Sequence, residues 1–364
     1  PFIVKTSCPE DVFDNASPDL RVPQLPWRLQ EASGCERTPT EADVVVVEND
    51  FLRAAITPQW GGKVWSLYHK KHEKQLFFTN PAHPPSNLGY RKAWSRGGCE
   101  WNWAPGKIGH SVFSESPVWT AVLDTEMGPL VRVWEYDRQN STVWQVDVLV
   151  TDDAMFAHPK ITNPTPVDLP GYWWTCVAMS IDGPKNRVIT PAEMSVDNGG
   201  QCTPWPNGAF NLENTSFRGA DIGGCAANDG GRGTCAWQSD QSFLGNIPTA
   251  NDFFMRIDQA KVPWITHARE DGYAVIHSHP KYLNGRKFVQ WGYNEFGTFN
   301  EDFLSASDYE NEKCNQDAYD PWCPHYEHVG KYTELQIGPA RTQMHTFPLP
   351  KNEVFEWTEW FKAW

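Results

Sequence analysis

The chain has 364 residues, 40% of them hydrophobic and 21% charged, which is enough apolar side chain for a large core and too little charge for a disordered chain. A formal net charge of -14 argues against nucleic acid or an anionic membrane as partner, because like charges repel. No run approaches the roughly 20 apolar residues of a bilayer-spanning helix. Nineteen tryptophans are the compositional outlier. Flat apolar rings serve a β core, and they also serve surfaces on which sugar rings stack.

Residues 1–40 are rich in Pro, Asp and Ser without a sustained period, and read as an irregular arm packed on the body. From Val44 the segments ADVVVVEND and FLRAAITPQWGGKVWSLYHKK are β-branched and aromatic, punctuated by Asn49-Asp50, Pro58 and Gly61-Gly62. Such punctuation predicts consecutive antiparallel strands. The loop QLFFTNPAHPPSNLG then leads into GGCEWNWAPGKIGH, residues 97–110, where chemistry-bearing residues concentrate. Paired glycines allow a sharp turn or a close approach. Behind them stand Glu100, Trp101, Asn102, Trp103 and His110, with Arg96 just before. A carboxylate and an imidazole between indoles suit a sugar site, with Glu100 and His110 moving protons, Trp101 and Trp103 stacking, and Asn102 and Arg96 meeting hydroxyls or a uronate carboxylate. The competing reading puts Trp101 and Trp103 in a β core by simple alternation.

In TVWQVDVLVTDD, Trp144, Val146, Val148 and Val150 share one face while Gln145 and Asp147 share the other, as a half-buried strand requires. A buried strand is predicted over Tyr172–Ile181, followed by a Gly/Asn/Asp-rich insertion at about 197–246. Strands return in GYAVIHSHP, KFVQWGYN, KYTELQIG and VFEWTEWF. His277 and His279 lie on one face at two-residue spacing and suit substrate, metal or core hydrogen bonds. Trp291 and Glu295, in QWGYNEFGTF, are expected on the rim of a cleft. Helical periodicity and internal repeats are not visible. One all-β domain over 41–364, built from two large antiparallel sheets, is the expected architecture.

Seven of the nine cysteines sit in loop-like segments, as in GGCAANDGGRGTC and EKCNQDAYDPWC, where disulfides can staple long loops. By proximity Cys225 would pair with Cys235, Cys314 with Cys323 and Cys8 with Cys35, although sequence does not prove connectivity. One of Cys99 and Cys176, which lie in strand-like segments, is the expected unpaired thiol. Sequons at Asn15, Asn140 and Asn214 fit a secreted glycoprotein. The start at Pro1, without an initiator methionine, fits either a cleaved signal peptide or trimming.

Four blocks together, NDFLRAAITPQWGGKVWSLYHKK, WSRGGCEWNWAPGKIGH, GYWWTCVAMSIDGPKNRVITPAE and KYTELQIGPARTQMHTFPLPKNEVFEWTEWF, resemble the family known as domain of unknown function 5107. The resemblance runs from about Asn49 to the C-terminus. It implies a galactose-mutarotase-like β-supersandwich, here with long disulfide-stapled loops, and no single activity, because that fold hosts epimerases, lyases, hydrolases and non-catalytic sugar-shaping domains. It also implies a general base on a late strand, a position that Glu334 matches, with Gln336 beside it on the same face.

The expected function is therefore a secreted carbohydrate-active enzyme, first a glycoside hydrolase using Glu100 and Glu334 on an oligo- or polysaccharide. An aldose 1-epimerase using Glu334 and His110, a lyase acting on a uronic acid, and a lectin-like glycan binder are the alternatives. No cofactor is required by this chemistry. Carboxylates and asparagines are abundant enough to build a Ca²⁺ site, whose ligands the sequence does not assign.

Overall fold

The structure, a computed structural model, describes residues 41–80, 97–106, 109–111, 113–114, 116–196, 202–211, 234–247, 251–256, 262–290 and 331–364, and the backbone of short strands at 2–5, 13–15, 26–28, 37–40 and 82–83. In 202–211 and 234–239 the description is also of backbone, Trp205 and Pro206 apart. Apart from one 3-10 turn at Leu244–Asn246, the regular elements among these residues are strands. Most belong to two large antiparallel sheets, of 11 and 9 strands. The all-β expectation is met, and the contacts divide the chain into two compact units, each drawing strands from both sheets.

The first unit comprises residues 1–178, 304–306 and 343–359. Its part of the larger sheet runs Val45–Glu48, Leu52–Thr57, Lys63–His69, Cys99–Trp103 and then Trp173–Ile181, whose last three residues belong to the second unit. Its part of the smaller sheet is the meander Trp119–Thr125, Gly128–Asp137, Thr142–Thr151, Ala154–Thr162. The predicted alternation in the third of these is realised: Trp144, Val146 and Val148 are fully buried. Between the sheets the indoles of Trp144, Trp173 and Trp357 meet edge to face, with centroids 6.3 and 5.4 Å apart. Such pairs add about 0.5–1.5 kcal/mol each beyond area burial.

The second unit comprises residues 179–303, 307–342 and 360–364. It pairs Asn251–Arg256 with Gly285–Gln290, and that strand with Lys331–Gly338. It also pairs Trp264–Ala268 with Ala274–Ser278. The stacked rings of Phe253 and Phe288, 4.5 Å apart, mark its core.

Cys99 and Cys176 are both buried thiols outside any disulfide, where the sequence led us to expect one such thiol. The other seven cysteines, and with them the proposed pairings and the stapling of the loops, lie outside the residues whose side chains are described. Most of the insertion at 197–246 and the side chains of the 1–40 arm lie outside them too.

Candidate functional site

Gly97 and Gly98 open the central stretch with φ of +106° and +70°. A Cβ on Gly98 would stand 2.5 Å from the Val64 carbonyl oxygen and 2.9 Å from the Trp65 Cα. Glycine is therefore what lets the Cys99–Trp103 strand enter beside Lys63–His69. Once it is there, residues 99–103 pair with 177–173, so that Glu100 faces Cys176 across the ladder and Asn102 faces Trp174.

Alternation then separates the two indoles from the carboxylate. Trp101 is 2% exposed and donates to the Gly62 carbonyl at 2.9 Å, while Trp103, 1% exposed, donates to Thr142 Oγ1 of the smaller sheet at 3.1 Å. Both rings lie between the sheets, which corrects the reading of them as sugar-stacking groups. The strand's inner face is filled by core packing, and its polar residues take the other.

On that other face Glu100 and His110 meet. Glu100 Oε1 lies 2.6 Å from His110 Nδ1 and accepts Asn102 Nδ2 at 3.0 Å. Its second oxygen, Oε2, is 3.7 Å from the ammonium of Lys63, itself 1% exposed. Burial pushes the Glu100 carboxyl up, but the charge and hydrogen bond of His110, with Lys63 and Asn102, outweigh it and hold the group below the usual carboxylate range. An ionised carboxylate only accepts, so His110 Nδ1 is the donor. His110 keeps 20% of its side chain exposed and is the solvent-facing member of the pair.

Asn102 ties the pair together. Its Nδ2 donates to Glu100 and to Cys176 Sγ, 3.3 Å away, and its Oδ1 accepts the Ser111 N–H at 2.8 Å and Ser114 Oγ at 3.2 Å. All four bonding positions of the amide are used. Ser111 closes the loop by donating through Oγ to the Trp103 carbonyl at 2.8 Å. Asn102 thus holds protein groups, where the sequence suggested a substrate ligand.

Glu334 stands in the second unit with its own partners. It accepts Tyr332 OH at 2.9 Å through Oε1 and Gln336 Nε2 at 2.7 Å through Oε2, three residues in one row of a strand. In the same unit Lys287, opposite Gln336 in the ladder, bonds Asp252 at 2.6 Å. Glu334 and Gln336 thus bond to each other.

His277 and His279 lie in the second unit's core. His277 is fully buried and stacks on Phe361 at 4.1 Å. His279 Nδ1 bonds the Pro280 carbonyl, and its Nε2 meets the guanidinium of Arg286. Burial first, then Arg286, push the His279 pKa well down, so the ring is neutral. These two histidines are core residues, which corrects their assignment to substrate. Arg96, Trp291 and Glu295 lie outside the described residues. Among the described residues no group of three or more His, Cys, Asp or Glu side chains is gathered for a metal ion.

Sequence reasoning missed Lys63, Cys176, Tyr332, Lys287 and Asp252. Lys63 carries a readable signal, standing directly after Gly61-Gly62. Tyr332 stands two residues before Glu334 and shares its face by strand alternation, whereas Cys176, Lys287 and Asp252 are set by ladder register, which no local pattern reveals.

A family model described as a domain of unknown function (DUF5107) matches residues 22–234. Among solved structures, a TPR-domain containing protein from Parabacteroides distasonis is similar at 16% identity and TM-score 0.73, over 100% of this chain and 53% of that one. The chain therefore spans about half the length of that protein. A galactose mutarotase-like protein from Clostridium acetobutylicum matches at 11% identity and TM-score 0.55, over 89% and 96% of the two chains. One from Lactobacillus casei matches at 11% and 0.51, over 88% and 100%. At these identities the likeness is one of fold, the galactose-mutarotase-like β-supersandwich.

Proposed function

The chain belongs to the family described as domain of unknown function 5107, and from its mutarotase-like fold and its Glu100–His110 pair we propose a carbohydrate-active enzyme that interconverts the anomers of an aldose. The observation that carries this reading is the 2.6 Å contact between an ionised, buried Glu100 and a partly exposed His110. Anomer exchange requires one proton to reach the ring oxygen and one to leave the C1 hydroxyl. The bond between C1 and the ring oxygen then breaks, the open aldehyde turns, and the ring closes on its other face. His110, anchored through Nδ1, supplies the ring-oxygen proton from Nε2, and Glu100 keeps the ring's orientation. Removal of the C1 hydroxyl proton falls to the general base that the family resemblance implies, a role that Glu334 matches by its place on a late strand.

Hydrolysis with Glu100 as acid would need that carboxyl protonated near neutral pH. Its surroundings favour the ionised form, so anomer exchange is the better-supported chemistry. The sequons and loop cysteines support an extracellular protein. A mass shift of the native protein on endoglycosidase treatment tests that. Asn140 donates its side-chain amide to Asp137 at 2.6 Å, and a glycan there would leave one N–H for that bond.

The activity test is to mix the protein with a panel of aldoses and follow anomeric proton exchange and new reducing ends together. Faster exchange without new ends is expected. New ends without faster exchange would restore the hydrolase, and silence in both would leave a sugar-binding protein.

A further inference from the structure

The solvent face of the smaller sheet in the first unit carries aromatic side chains that are exposed or half-buried. Ladder register puts Trp119 opposite Trp134 and Trp134 opposite Gln145, and in the neighbouring row Ala121 opposite Arg132 and Arg132 opposite Asp147. Val131 and Val133 are buried in the core, so Arg132, Trp134 and Tyr136, of the other parity, point away from it. Trp119 is 64% exposed, Tyr136 is 44% exposed and Trp134 is half-buried. None of the three rings stacks on, or hydrogen-bonds to, a described residue. Trp119 also lies on the strand that ends this sheet among the described residues.

The charges of this face are already paired. Arg132 grips Asp147 with two 2.7 Å bonds, Gln145 Nε2 adds a third to the same carboxylate at 3.1 Å, and Lys160 lies 3.7 Å from Glu356. On a chain of net charge -14 this is a locally neutral strip of donors and acceptors beside flat rings. A polyanion or a basic protein finds no complementary charge here. A neutral polyhydroxyl chain does find its complement, because ring faces meet its C–H groups while guanidinium, carboxylate and amide meet its hydroxyls. Opposite side chains stand about 5 Å apart at Cβ, the scale of a single pyranose.

We propose that this face is a binding site for a neutral polysaccharide, with pyranose rings on Trp119 and Trp134 and hydroxyls on Arg132, Asp147 and Gln145. The site is separate from the Glu100–His110 pair. Trp103, on the opposite side of its strand from Glu100, reaches Thr142 of this smaller sheet, so the core lies between the two.

The test is depletion of the intact protein by insoluble cellulose, chitin, mannan and β-1,3-glucan, run beside a Trp119→Ala/Trp134→Ala variant and a Tyr136→Ala variant. The parent is expected to adsorb to at least one polymer. The double variant is expected to lose at least tenfold in affinity while keeping the parent's melting temperature and its anomer-exchange behaviour, whatever that is. Tyr136→Ala should weaken adsorption less. Adsorption to none of the polymers, or equal adsorption by parent and double variant, overturns the proposal. So does a parent that is dimeric by sedimentation and becomes monomeric in the double variant, which would make the face a contact between two copies of the chain.

Discussion

Ser111 donates its backbone N–H to Asn102 Oδ1 at 2.8 Å, and this bond fixes the residue next to His110 onto the strand that carries Glu100. Asn102→Ala leaves buried donors and acceptors unpaired, at about 1–3 kcal/mol for each group. We expect at least a tenfold fall in kcat with KM little changed, because the proton donor is displaced while sugar contacts remain. Asn102→Asp keeps the acceptors but sets a carboxylate against Glu100. Like charge raises the Glu100 pKa, so the acid limb of the pH–rate profile should move to higher pH.

Glu100→Gln keeps the shape of the side chain and removes its charge, taking one carboxylate away from the buried Lys63. The folded pKa of Glu100 is depressed below the ordinary glutamate value of 4.5. Its contribution to stability is therefore present above pH 4.5 and is lost as pH falls through the lower, folded value. Urea denaturation of parent and variant should show a stability gap at pH 7 that narrows on acidification below about pH 4. A gap independent of pH would mean that Glu100 is not held ionised by its neighbours.

His267 offers a second pH test. Burial, with a smaller push from Arg269, lowers its pKa from 6.5 to about 3. A depressed histidine is neutral when folded and takes up its proton on unfolding, so stability is complete above pH 6.5 and falls as pH drops toward 3. A single such group gives a slope of up to about 1.4 kcal/mol per pH unit. His267→Gln should flatten the fall measured by urea denaturation between pH 6.5 and 4.

Two glycines with left-handed backbones separate strain from crowding. Gly128 has φ +109° and open space where a Cβ would go, whereas Gly98, at φ +70°, has Val64 O at 2.5 Å from that point. Gly128→Ala should cost on the order of 1–3 kcal/mol of backbone strain. Gly98→Ala should lower the melting temperature further, and should disturb the pairing of Cys99 with Val64 that positions Glu100.

Much of the fold was legible because period-2 patterning survives in single strands: Thr142–Thr151 and Lys331–Gly338 fall where their sequences put them. What alternation cannot say is which of two faces meets the core. In GGCEWNWAPGKIGH it separates Glu100 and Asn102 from Trp101 and Trp103, but both sets contain groups suited to a sugar. The second sheet decided the matter, through Thr142 beneath Trp103. His110 reaches Glu100 because Asn102 folds the intervening loop back, a tertiary bond with no sequence period. Lys63 and Cys176 come from neighbouring strands and depend on register.

The central claim is that Glu100 and His110 form a proton-transfer pair acting on a sugar. Its most direct test is exchange NMR of the anomeric protons of the aldose on which the parent acts fastest, with parent and His110→Gln compared at pH 7. The account predicts at least a hundredfold slower catalysed exchange in a variant that still binds the sugar, in keeping with the usual contribution of a positioned acid. Exchange at the parent's rate in His110→Gln would contradict it.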